Sequence, residues 1–143
     1  MSISLGFDYG LRRLGVAVGQ SLTATASPLE ALVCRDGQPD WERVKQLLEE
    51  WQPEALVVGL PYNGDGSEQP ITTAARRFAR RLEGRFGLPV YLVDERFSSA
   101  SAETRLIEGR QHGRRRLRKT DIDNAAACII LESWLNGAEA TRP

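Results

Sequence analysis

The chain opens on two segments whose side chains alternate. Ile3, Leu5 and Phe7 are separated by Ser4, Gly6 and Asp8, and Leu14, Val16 and Val18 by Gly15, Ala17 and Gly19. A period of two sends successive side chains to opposite faces of a strand, so the pair predicts an antiparallel hairpin across a short bend. One face of that hairpin is apolar; the other is nearly bare until it reaches Asp8. A carboxylate is therefore expected on a rigid strand among small residues, where a phosphate or a metal ion can approach it.

The remaining pattern adds strands and helices in alternation. Residues 23–33 read as a third strand in which Pro28 demands an edge or a bulge. Asp36-Gly37-Gln38-Pro39 reads as a turn whose proline suits the start of a helix carrying Trp41, Val44, Leu47, Leu48 and Trp51 at helical spacing. Ala55 to Leu60 is a continuous apolar run, the pattern of a buried parallel strand, and it empties into the loop chemistry of residues 61–67. Ligands of open α/β sheets gather at such strand ends. A helix over residues 70–86 turns Ala74, Ala75, Phe78 and Leu82 inward and carries Arg76, Arg77, Arg80 and Arg81 outside. Val90 to Val93 form the next strand, which delivers Asp94, Glu95 and Arg96 to its end. Ser98 or Ser99 caps a further helix to about Gly109, and residues 110–119 read as a mobile basic loop. Asp121 or a neighbour caps the last helix, with Ala126, Ile129, Ile130 and Trp134 at core spacing. Such alternation after an initial hairpin predicts a mixed sheet with helices on its faces.

With 143 residues the chain is expected to form a single domain over residues 1–143. At 41% apolar and 27% charged residues it is neither disordered nor membrane-spanning in composition. No apolar stretch reaches the length of a membrane span and no signal peptide opens the chain, so the expected place is the cytoplasm. Cys34 and Cys128 lack metal-ligand or redox spacing and read as inert thiols. Net charge is zero, yet the charges are segregated. Nine acids face three bases between Glu30 and Pro70, whereas eight bases face two acids between Arg96 and Lys119. That asymmetry predicts one surface that meets polyanions.

Three acids sit at element ends that a compact sheet can bring together: Asp8, Glu95 and Asp123. Carboxylates converging from separate elements suit hard cations such as Mg²⁺ or Mn²⁺, which take oxygen ligands. One or two such ions activate a water and stabilise the entering and leaving oxygens of a phosphodiester, which is nuclease chemistry. Spacing alone leaves each acid a structural alternative: Asp8 as a turn residue, Glu95 paired with Arg96, Asp123 at the positive end of its helix.

Four blocks add a resemblance. Phe7-Asp8-Tyr9-Gly10 with Arg13-Leu14-Gly15-Val16-Ala17-Val18, then Val58-Gly59-Leu60-Pro61-Tyr62-Asn63-Gly64-Asp65-Gly66, then Asp94-Glu95-Arg96-Phe97-Ser98-Ser99, and Asp123-Asn124-Ala125-Ala126-Ala127 resemble the signature blocks of the YqgF family. Those are small bacterial proteins with an RNase H-like fold, assigned to Holliday junction resolution and to 5′-end processing of pre-16S rRNA. The resemblance covers the whole chain. It implies a five-stranded mixed sheet whose first three strands are antiparallel, and a role in ribosome biogenesis in the cytoplasm. It places Asp8, Glu95 and Asp123 as catalytic metal ligands for Mg²⁺ or Mn²⁺, with Asp94 and Asp121 as substitutes. Phe97 stands where leucine is usual and Ser99 where threonine is common, departures that touch packing and a cap.

Arg12 and Arg13 follow the acidic strand, and Arg114, Arg115, Arg116, Arg118 and Lys119 form a polycation; both groups are expected to bind the backbone of RNA or structured DNA in a salt-dependent way. Tyr9 and Tyr62 are candidates to stack on a base, against a reading as buried anchors. His112 reads as solvated, and the three tryptophans as packing. Ribosomal precursor particles are expected partners, membranes are not, and the protein is expected as a monomer or, for junction resolution, a homodimer with two sites. Two rivals remain at this stage. A nucleic-acid-binding module without catalysis would not need the acids, and an actin-like nucleotide-binding protein would need a second domain.

Overall fold

The computed structural model describes residues 2–96 and 119–143, the side chains of residues 119–124 excepted. Its strands are β1 (Ile3–Tyr9), β2 (Arg13–Gln20), β3 (Thr25–Arg35), β4 (Gln38–Pro39), β5 (Ala55–Leu60) and β6 (Val90–Asp94). Its helices are α1 (Trp41–Trp51), α2 (Pro70–Phe86) and α3 (Lys119–Leu135). The strands make one sheet in the order β4-β3-β2-β1-β5-β6. β1 pairs with β2, β2 with β3 and β3 with β4 antiparallel, while β5 joins β1 and β6 joins β5 in parallel. No helix among the described residues is long and apolar enough to cross a membrane.

The alternation in the first strands decides which helix lies on which face. Leu5, Phe7 and Tyr9 point with Leu14 and Val16 into a core completed by Val44 and Leu47 of α1 and by Ala75, Phe78 and Leu82 of α2. The opposite face carries Ala17, Val57 and Val93 and receives Ala127, Ile130 and Leu131 of α3. The near-bare face of β1 is thus a seat for a helix rather than open surface. A Cβ on Gly6 would stand 2.7 Å from the Leu131 Cβ and 3.1 Å from the Ala127 carbonyl oxygen, so only glycine lets α3 lie this close.

Most sequence expectations hold, and the exceptions have local causes. The register of β2 against β3 slips between Val16 and Ala17, where Pro28 would interrupt the ladder, which is the bulge the proline demands. The sheet has six strands, not five, because Gln38–Pro39 folds back on Cys34–Arg35 through a turn in which Asp36 and Gly37 take positive φ. Pro39 consequently ends a strand, and Asp40 caps α1 by accepting from the N–H groups of Glu42 and Arg43. The helix over residues 70–86 is found as expected, closed by Gly87 in the left-handed region. Asp121 is not the cap of the last helix, since α3 already includes Lys119 and Thr120. Lys119 likewise belongs to that helix and not to a basic loop. The expected helix after Ser98, His112 and the cluster Arg114, Arg115, Arg116 and Arg118 lie outside the described residues.

All three tryptophans pack, as expected. Trp41 stacks on Phe78 at 5.6 Å between ring centres, Trp51 lies against the main core, and Trp134 meets Tyr91 at 5.2 Å.

Candidate active site

The period of two resolves the Asp94-Glu95-Arg96 triplet. Leu92 faces the core under α2 and Val93 faces α3. Continuing the alternation sends Asp94 to the α2 side and Glu95 to the α3 side, the side that Gly6 and Asp8 share on β1. The Glu95 N–H donates to the Leu60 carbonyl at 3.0 Å, extending the β5–β6 ladder by one residue.

Glu95 must cross β5 to reach β1, and Gly59 lets it. The β1–β5 register places Phe7 beside Val58, so Asp8 is level with Gly59. The Glu95 side chain lies across that glycine: a Cβ there would sit 2.6 Å from Glu95 Oε1, 2.7 Å from its Cγ and 2.5 Å from the Ile130 Cδ1. The side chains of Glu95 and Asp8 meet in a hydrogen bond. Burial first, and then the charge and hydrogen bond of Asp8, raise the Glu95 carboxyl to about 9. Two carboxyl groups from strands far apart in sequence therefore meet, and their contact favours the protonated form of Glu95.

Asp94 is engaged elsewhere. It accepts from the Arg96 backbone N–H at 2.9 Å and from the Arg96 guanidinium at 2.7 and 2.9 Å. Burial pushes Asp94 upward, but the Arg96 hydrogen bonds outweigh it and leave the carboxyl below its usual range. Arg96 also stands over Tyr62 at 5.7 Å and against Gly66, so it ties the loop after β5 to the end of β6. Asp94, the expected substitute for Glu95, is thus bound to Arg96 on the other face of the sheet. The clamp itself escaped the sequence reading, although the alternation of Leu92, Val93, Asp94 and Glu95 contained the signal.

Asp123 lies in the early turns of α3, and its side chain, like that of Asp121, is outside the described residues. The helix backbone still gives its level. Leu135 lies against Gly19, which pairs with Ser4, and Ala127 lies against Gly6. Running back along α3 is thus running toward Asp8 along β1, and the turn before Ala127 is the turn of Asp123.

Arg13 opens β2 on the same face as Gly15, the residue paired with Asp8, whereas Arg12 is exposed in the bend. Tyr9 is buried and donates its hydroxyl to the Gly37 carbonyl at 2.6 Å, so it is an anchor and not a stacking platform. Tyr62 is half-buried, accepting from Arg76 at 3.1 Å.

Gly59 gives the site a test of its own. Gly59→Ala is expected to push Glu95 off Asp8 and to weaken Mn²⁺ binding at least tenfold by calorimetry, with about 1–3 kcal/mol of lost stability from overpacking. Unchanged Mn²⁺ affinity in the folded variant would remove Glu95 from the site.

Comparisons with known proteins place the chain in a family. A family model described as RuvX, Holliday junction resolvase, matches residues 2–137. A protein of Klebsiella pneumoniae subsp. pneumoniae named "Putative pre-16S rRNA nuclease" is 54% identical over 130 residues, covering 91% of this chain and 93% of its own. One of the same name from Sodalis glossinidius is 53% identical over 131 residues, covering 92% of each. Among solved structures the chain resembles T. thermophilus RuvC in complex with a Holliday junction substrate, with a TM-score of 0.58, 20% identity and coverage of 99% and 100%. It also resembles fowlpox virus resolvase in complex with Holliday junction DNA, with a TM-score of 0.56, 13% identity and coverage of 94% and 97%. At those identities the two structures speak for the fold, which is the RNase H-like class expected from the motifs. Because the family model spans nearly the whole chain and the curated relatives are more than half identical over nine-tenths of it, the chain belongs to the RuvX family, the YqgF family of its four sequence blocks.

Proposed function

We propose that residues 1–143 form one metal-dependent nuclease domain that hydrolyses phosphodiester bonds in 5′-end processing of pre-16S rRNA. The observation that carries this reading is the meeting of Asp8 and Glu95 across Gly59. Two part-buried carboxyl groups in contact hold either a proton or a cation, and an all-oxygen donor set suits Mg²⁺ or Mn²⁺. Asp8, Glu95 and, from α3, Asp123 would hold one or two such ions. When bound, the metal supplies Lewis acidity toward phosphoryl oxygen and a more acidic water.

The chain's own residues do the rest. Asp8 is fixed by its pairing with Gly15 of β2 one residue beyond the β1–β5 ladder, and Glu95 by its backbone bond to Leu60 and its packing over Gly59. Loss of the Glu95 proton to solvent prepares the pair. A water then attacks phosphorus in line and passes its proton to solvent, the bond between phosphorus and the 3′ oxygen breaks, and that oxygen takes a proton from solvent and leaves as a 3′-hydroxyl. Arg13 on the site's own face and Arg12 in the bend position the strand by its phosphates. Arg114, Arg115, Arg116, Arg118 and Lys119 add a polycation that attracts backbone without reading sequence. The partner is nucleic acid, free or in a ribosomal precursor particle, and the place is the cytoplasm.

The family description and the junction complexes of the structural relatives favour a second reading, resolution of four-way DNA junctions by a homodimer. One experiment separates the two: cleavage of a pre-16S rRNA leader and of a DNA junction, each with and without Mn²⁺. The rRNA reading expects metal-dependent cleavage of the leader in preference to the junction, by a monomer. Junction cleavage in paired symmetric incisions would transfer the role to resolution. Binding of both substrates without cleavage under any metal would reduce the protein to a binding module.

A further inference from the structure

Four arginines stud the outer surface of α2, and they differ in what holds them. Arg76 is ion-paired with Glu68 at 2.5 Å and donates to Tyr62. Arg77 and Arg81, by contrast, are exposed, and among the described residues neither pairs with a carboxylate. They lie one turn apart, and one turn further Arg85 covers the Trp41 ring at 4.3 Å. The three form a cationic ridge of roughly 12 Å.

Arg77 and Arg81 stand at the mouth of a cavity of about 130 Å³ walled by Tyr9, Leu11, Trp41 and Phe78. Its floor is already fixed. The Gly37 N–H donates to the Leu11 carbonyl at 3.3 Å, the Cys34 N–H to the Arg12 carbonyl at 2.8 Å, and the Tyr9 hydroxyl to the Gly37 carbonyl at 2.6 Å. Asp36 is the one carboxylate among the lining residues described, so the two guanidinium groups leave the mouth net positive. At about 130 Å³ the cavity is on the scale of a phosphate group rather than of a whole nucleotide.

The cavity is also placed where a strand leaving the acid pair would pass. Tyr9 follows Asp8 on β1 and points to the opposite face, so the cavity and the acids lie on the two sides of the same sheet end. Between them the chain turns through Gly10, Leu11 and Arg12, a bend that exposes Leu11 and Arg12. We propose that Arg77 and Arg81 bind a backbone phosphate of the nucleic-acid strand held at Asp8 and Glu95, the strand wrapping over the Gly10–Arg12 bend from one face of the sheet to the other. This rests on the nuclease reading of the acid pair. The ligand is the phosphodiester itself, whatever its sugar or base.

The test measures binding of a labelled 20-nucleotide single-stranded RNA, and of the same sequence as DNA, by full-length protein carrying Asp8→Asn so that the strand stays intact. Adding Arg77→Gln and Arg81→Gln together is expected to weaken both ligands about tenfold and to lower the slope of log K against log salt by about 0.7, the contribution of one neutralised phosphate on a single strand. Arg77→Lys with Arg81→Lys keeps the charges and should restore the slope. Arg80→Gln removes an equal charge from the same helix outside the cavity and should change neither quantity. The subsite is overturned if the double glutamine variant binds with the parent's affinity and slope, or if Arg80→Gln weakens binding as much as Arg77→Gln alone. It is also overturned if calorimetry finds inorganic phosphate bound tightly at the cavity while the oligonucleotides ignore the substitutions. Failure of the nuclease reading is a separate result: protein with Asp8 intact would then show no metal-dependent cleavage, whatever the arginine variants bind.

Discussion

Asp8→Asn is expected to lower Mg²⁺- or Mn²⁺-dependent phosphodiester cleavage by at least about a thousandfold, equivalent to about 4 kcal/mol of transition-state stabilisation. The same substitution should make the metal-free protein more stable. Asp8 meets Glu95 in a part-buried hydrogen bond, and an asparagine amide can donate to the Glu95 carboxylate where Asp8 needs a proton to do so. Each kcal/mol gained raises the melting temperature of a domain of this size by roughly 3–5 °C. The opposite signs are the informative part. A residue kept for structure loses stability when replaced, whereas a ligand kept for chemistry gives up activity and returns stability. Cleavage that survives in Asp8→Asn would end the proposal, and a variant that melts earlier without metal would make Asp8 a structural residue.

The second large effect is on stability against pH. Burial and the neighbouring Asp8 raise the Glu95 carboxyl in the folded chain from an ordinary 4.5 to about 9. Between these values the folded state holds a proton that the unfolded state has lost, so the stability due to this group is full below 4.5 and falls as pH rises toward 9. The slope approaches about 1.4 kcal/mol per pH unit inside that window. Other pairs act at the acid end with the reverse sign. Glu30 and Glu83 are held below their usual range by hydrogen bonds from Arg43 and Arg142. Their contributions are present above the ordinary carboxylate range and are lost as pH falls through it. Metal-free protein should therefore be most stable in mild acid and lose ground steadily toward pH 9. Mg²⁺ or Mn²⁺ needs the deprotonated pair, so binding should release protons, tighten with pH and flatten the decline. Melting curves from pH 5.5 to 9 on protein with and without Mn²⁺, and on Glu95→Gln, check this. A Glu95→Gln variant that keeps the metal-free slope would place the titrating group elsewhere.

Both effects arise from one geometric fact, that a glycine on the intervening strand lets an acid at the end of β6 touch an acid on β1. Gly59 has no chemistry of its own, yet it decides whether the two carboxyl groups are a pair or two isolated charges. The Asp94–Arg96 clamp complements it, because it commits the neighbouring acid to the other face and keeps the Arg96 cation beside Asp94 and Tyr62.

Much of this was legible in the chain itself. The alternation of Ile3 to Phe7 and of Leu14 to Val18 determined the hairpin and its two unlike faces, Pro28 announced the bulge, and the apolar run at residues 55–60 announced a strand buried on both sides. These are local properties, written in side-chain period and in the backbone limits of proline, and they need no partner to be read. The identity of Asp8 and Glu95 as candidates was equally visible, since both stand at strand ends. What the sequence did not decide was contact. Whether Asp94 or Glu95 turns toward Asp8 depends on the register of β6 against β5. Whether the bare face of β1 is solvent or a helix seat depends on α3, which arrives more than a hundred residues later. Arg76, Arg77, Arg80 and Arg81 look alike in sequence and differ only once the bend, the turn at Gly37 and Trp41 build a cavity beside two of them. Period and propensity act over a few residues, whereas pairing, burial and pKa depend on which distant strand lies alongside, and that is settled only when the sheet closes.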